Sequence, residues 1–185
     1  MANPATATSP DQAVALVKQH LHSTRSLAED KIEVQLHTTV PVPGLHVFTA
    51  REIGGRGPGQ VYSAGVVDGQ NVVSDRAEAM RLVAKAWGYG PRRTVSAENV
   101  ASVIGLLEGA TSKPKPLVSD KDLAFYQKTA RKEYADAAFL PRETEVDGQP
   151  AVQYCNTSSR PPFWLATAIF RADGTVEVTR ESVAH

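Results

Sequence analysis

The sequence predicts an α+β fold, with antiparallel meander sheets packed on helices. Three observations carry this. Strand-like and helix-like segments come in separate runs, in the order helix, four strands, three helices, four strands, rather than alternating as in a parallel α/β sheet. Asp-Gly pairs, which tolerate the positive φ of tight hairpin turns, stand at Asp68, Asp147 and Asp173, each between strand-like segments. The stretch from Pro162 to Val178 reads as a central hairpin: Phe163 to Phe170 is almost wholly apolar or small, as in a strand covered on both faces, and Val176 and Val178 then alternate with Thr175, Glu177 and Thr179.

In chain order, Met1 to Thr8 is small and polar and is expected to be a flexible leader. Ser9, Pro10 and Gln12 form a capping box with proline at the first helical position, and the stripe Val14, Val17, Leu21 extends a helix to about His22. Lys31 to Thr39 alternates, with Ile32, Val34 and Leu36 on one face and Glu33, Gln35 and His37 on the other. Pro41, Pro43 and Gly44 break it. Strands follow over Leu45 to Ile53, Gln60 to Val67 and Gln70 to Val73, with the glycine-rich Gly54 to Gly59 as a connection. Asp75 and Glu78 make a second capping box ahead of the face Met80, Val83, Ala84, Trp87. Ser96 caps a third helix with the stripe Val100, Val103, Ile104, Leu107, stopped by Gly109.

Residues 110–118 are the best linker in the chain, so residues 9–109 and 119–185 are expected as the two parts, able to pack as one domain. Ser119 caps a fourth helix carrying Leu123, Tyr126, Ala130 and Tyr134. Arg142 to Val146 and Ala151 to Asn156 form a hairpin before the central one. Each half pairs helix with a four-strand meander, the order that an internal duplication would leave, although the residues of the two halves do not establish one. The architecture is similar, by element order only, to cystatin-like folds in which a curved meander wraps a helix. The glycine-valine motif of cystatins is not legible here, and no residue role follows from the likeness.

Composition narrows the function classes. Twenty basic residues balance twenty acidic ones, so no global attraction to nucleic acid is expected. Lys128, Arg131 and Lys132 read as a solvated helix face. No apolar run is long enough to span a bilayer, and the compartment stays open between the cytoplasm and export with a signal segment absent from this chain. A single cysteine, Cys155, excludes an internal disulfide.

The motifs of familiar chemistry fail on context. Gly54 to Gly59 lacks the Lys-Ser/Thr pair of a phosphate loop and leads into a strand, not a helix. His20, His22, His37 and His46 cluster in sequence but do not converge as zinc ligands would, so no metal or cofactor is expected. Cys155 has no local nucleophile signature, and no GxSxG elbow exists. No catalytic residue is assigned.

The unusual feature is Arg160-Pro161-Pro162-Phe163-Trp164, where prolines stiffen the approach to the central strand. Packing in the core is the expectation for both aromatics, and an aromatic-lined binding groove is the alternative. The sequence therefore points to a non-catalytic module that holds a protein or peptide partner, with Arg160, Trp164, Tyr154 and Arg171 as binding candidates. The alternative is a small enzyme or small-molecule binder with a pocket between sheet and helices.

Overall fold

The structure, a computed structural model, describes residues 8–54, 62–88, 95–108, 115–116, 140–157 and 164–182. It is α+β, with two antiparallel sheets and helices packed on them. The chain divides into two units, Met1–Ala86 and Trp87–His185.

The first unit begins with helix α1, Pro10–Arg25. The capping box forms as the sequence predicts: Ser9 Oγ accepts from the Gln12 amide at 3.3 Å, and Gln12 Oε1 accepts from the Ser9 amide at 3.0 Å. The helix runs one turn past the expected end and stops where Ser26 enters the left-handed region, φ 56°. Four strands then form a meander in the order β1 (Ile32–Leu36), β2 (Leu45–Glu52), β3 (Tyr62–Asp68), β4 (Asn71–Val73). Register places Val34 opposite Ala50, Leu36 opposite Phe48 and Phe48 opposite Gly65, so these residues share one face. That face meets α1 in a core of Ala13, Val17, Leu21, Ile32, Phe48, Ala50 and Val67. Period two in β1 and period 3.6 in α1 thus meet as the alternation and the stripe require. Helix α2 (Arg76–Ala86) follows, with the Asp75 carboxylate accepting from the Glu78 amide at 2.9 Å. The Glu78 carboxylate accepts instead from Arg81, two bonds at 2.6 and 2.7 Å.

The expected leader ends differently from its description. Thr8 is buried; its hydroxyl donates to the Gly69 carbonyl at 2.6 Å, and its own carbonyl lies 2.6 Å from His46 Nε2. Residues 1–7 lie outside the described residues.

The second unit contains helix α3, Ala97–Glu108, capped by Ser96 Oγ accepting from the Asn99 amide at 3.3 Å. The sequence groups this helix with the first meander; the fold places it with the second sheet, against which it packs. Of the expected linker, Lys115–Pro116 is described and forms the short strand β5. The fourth predicted helix, with Tyr126, lies outside the described residues. The sheet continues with β6 (Arg142–Val146), β7 (Gln149–Thr157), β8 (Trp164–Phe170) and β9 (Val176–Ser182). β7 pairs with β8 and β8 with β9, while β5 and β6 both pair with β7, at different stretches of it.

The Asp-Gly pairs make different turns. Asp147 and Gly148 both have positive φ, 51° and 74°, which is the two-residue hairpin turn the pair suggests. Asp173-Gly174, expected as a two-residue turn, belongs to a longer loop. The Arg171 amide donates to Thr175 and the Gly174 amide donates back to Arg171, each at 2.9 Å. The Asp173 carboxylate explains the difference, because it accepts from both the amide and the hydroxyl of Thr175 and so holds that residue in the loop. β8 is buried on both faces, as its unbroken apolar run predicts: Leu165 and Ile169 on one, Ala166, Ala168 and Phe170 on the other.

Candidate functional site

Register decides which side chains of the second sheet meet. Tyr154 on β7, Ala166 on β8 and Arg180 on β9 stand directly opposite one another, so they form one row across one face. Ala166 is small and leaves room between the two long side chains. Helix α3 packs on β7 at the Tyr154 end of this row and reaches Arg180 through Glu108. At Gly105 the helix backbone meets the Tyr154 ring so closely that an added Cβ would lie 3.2 Å from Cε2 and 3.8 Å from the hydroxyl. Glu108 follows three residues later, on the same side of the helix. It is only 7% exposed, and its Oε1 is 2.6 Å from an Arg180 guanidinium nitrogen.

Three residues 46 and 26 positions apart in sequence thus form one polar cluster in an otherwise apolar interface. The Tyr154 side chain is fully buried, and burial drives its phenol well above the ordinary tyrosine range. The negative charge of Glu108 adds to that, and Arg180 opposes it. Tyr154 is therefore a neutral hydroxyl at any ordinary pH, suited to hydrogen bonding and not to nucleophilic or base chemistry. Cys155, next along the strand, points to the other face; burial pushes its thiol up to about 12, which removes the thiolate that nucleophilic work needs.

Three of the four binding residues expected from the sequence are described, and they do not all share one site. Trp164 begins β8 on the same face as Tyr154 and Ala166, one row away, opposite Asn156 and Ser182. Contrary to the expectation of core packing, it is 36% exposed, one of the large apolar side chains that this fold leaves open. A run of apolar letters gives a strand's faces but not how far along the strand the cover reaches, and Trp164 is the strand's first residue. Arg171 lies past the opposite end of β8, about 20 Å away at strand rise, and pairs with Glu177. It does not share a site with Trp164. Arg160 and Phe163 lie outside the described residues. Glu108 and Arg180 are the residues that sequence reasoning misses.

In the first unit, a cleft of about 190 Å³ lies between Leu36 and Val47, lined by His37, Pro41, Val42 and His46 among others. Its two histidines already have partners. His37 Nε2 is 2.8 Å from the Thr49 hydroxyl, and burial holds its pKa below the usual histidine value, while His46 ties down Thr8. His20 and His22 bond elsewhere, to Ser74 and to the Leu27 carbonyl.

No protein-family model, curated protein or solved structure matches this chain. Among the described residues no helix is long and apolar enough to cross a membrane.

Proposed function

We propose that the chain is a non-catalytic binding module that holds a protein or peptide partner at the Trp164 end of its second sheet. The observation that supports this reading is the exposure of Trp164, a large aromatic on the sheet face that is otherwise buried next to it. Tryptophan is among the residue types that dominate binding hot spots, because it offers wide apolar area with few rotatable bonds to immobilise. The neighbouring row supports a rigid platform: α3, Tyr154 and the Glu108–Arg180 pair fix the sheet beside it. A tryptophan carried on a strand held in this way has little ordering entropy left to lose on binding.

The test is selection of a displayed peptide library against the immobilised chain, followed by affinity measurement on Trp164→Ala. Binding should fall by about 30-fold or more, the scale of a hot-spot residue, while the unfolding midpoint stays close to wild type. Ile53→Ala serves as the control, since Ile53 is also exposed but lies in the first unit. Equal loss in both variants, or no loss at Trp164, would refute the assignment. Turnover of a small molecule without peptide capture would favour the small-enzyme alternative.

A further inference from the structure

Two polar atoms in the second unit lack a hydrogen-bond partner among the described residues although both are buried: Glu108 Oε2 and the Tyr154 hydroxyl. Buried polar groups are satisfied in the great majority of cases, and each exception calls for an explanation. The two exceptions here belong to one place. Gly105, against which the Tyr154 ring packs, is one helical turn before Glu108 on α3. They are also complementary. One is a carboxylate oxygen that can only accept, the other a hydroxyl that can donate as well as accept. They do not bond each other directly.

Charge identifies what would join them. A metal ion or ammonium at this position would face the Arg180 guanidinium, and an anion would face Glu108. Since Arg180 already neutralises Glu108 through Oε1, the cluster has no net charge to offer. The ligand that fits is neutral, small, and both donor and acceptor. We infer that one buried water molecule is bound between Glu108 Oε2 and the Tyr154 hydroxyl, accepting from the phenol and donating to the carboxylate. The chain Arg180–Glu108–water–Tyr154 then fastens the last turn of α3 to β7 and β9. A water with two strong polar partners in such a site is a fixed part of the structure, not a transient visitor.

A high-resolution crystal structure of the wild-type chain tests this directly. An ordered water within about 3.2 Å of both oxygens is expected. A direct Tyr154–Glu108 hydrogen bond, or a protein side chain from elsewhere in that position, would overturn the inference. Tyr154→Phe gives an independent readout by denaturant titration. Losing the phenol leaves the water or the carboxylate short of a partner, so the unfolding equilibrium constant should rise about 5- to 100-fold. If the hydroxyl were simply unsatisfied, removing it would relieve a desolvated group. A phenylalanine variant as stable as wild type, or more stable, therefore also overturns the inference.

Discussion

Gly65→Ala is the most informative single substitution in the first unit. Gly65 lies in the middle of β3, opposite Phe48, next to the pairing of Val66 with Val73. A Cβ at this position would stand 2.1 Å from the Val73 carbonyl oxygen and 3.0 Å from Phe48 Cζ. The first of these is backbone and cannot rotate away, so β4 must move off β3 by an ångström or more. Phe48 is fully buried in the core beneath α1 and has no free direction either. Overpacking of this kind costs about 1–3 kcal/mol. Disrupting the three-residue pairing of β3 with β4 forfeits hydrogen bonds worth about 0.5–1.5 kcal/mol each. Against this stands the lower chain entropy of alanine in the unfolded state, roughly 0.5–1 kcal/mol in favour of the variant. The net expectation is a loss of about 2–5 kcal/mol, enough to consume much of a domain's stability. Urea titration followed by circular dichroism would measure it. A loss below about 0.5 kcal/mol would mean that β4 does not lie against Gly65, and the register of the first sheet would be wrong.

Ile169→Ala should cost about 2–5 kcal/mol, since Ile169 is buried on β8 between covered neighbours; calorimetric melting checks this, and a loss under about 0.5 kcal/mol would refute the placement of the strand. Cys155 should react with a thiol reagent only as fast as the second unit opens, and labelling within seconds under native conditions would contradict its burial. Burial pushes the Cys155 thiol up to about 12, well above an ordinary thiol, and raises Tyr154 likewise, so the folded state keeps protons that the unfolded state loses. Their contribution to stability is complete below pH about 9 and declines as pH rises toward 12, by up to about 1.4 kcal/mol per pH unit for each group titrating. A flat stability profile between pH 9 and 11 would refute this. Thr8→Val keeps the shape but removes the hydroxyl that donates to Gly69, and should cost about 1 kcal/mol by denaturant titration; no change would show that Thr8 is not docked.

Local signals in the sequence reach far into this fold. Ser9 and Gln12 are three residues apart and satisfy each other, so the start of α1 is written in four letters. The faces of β1 follow from alternation alone, and Asp147-Gly148 specifies its turn because few residues tolerate two successive positive φ angles. The site is another matter. Glu108 ends an apolar helix, Tyr154 occupies a middle position in one strand and Arg180 in another, and nothing within a ten-residue window connects them. Only the pairing of β7, β8 and β9 sets Tyr154 and Arg180 in one row, and only the packing of α3 brings Glu108 to it; register across strands is set by packing that no single segment contains. Tyr154 is legible as a polar residue facing inward, but its partners are not. The exposure of Trp164 escapes for a related reason, since cover over a strand comes from a different part of the chain.

The ion pair on β9 has a consequence for how copies of this chain meet. β9 stands at the rim of its sheet, paired with β8 alone among the described strands, and its seven residues contain neither proline nor lysine. Such a rim is a template on which another chain's strand can crystallise into a growing ribbon. Arg180 faces the covered side of this strand, held there by Glu108. A strand docking alongside would have to cover the half-exposed Arg180 guanidinium, which Glu108 already holds, and taking that charge out of water carries a cost. The same contact that ties β9 to the end of α3 thus keeps a charged side chain at an open strand rim, a feature of the kind that opposes edge-to-edge pairing.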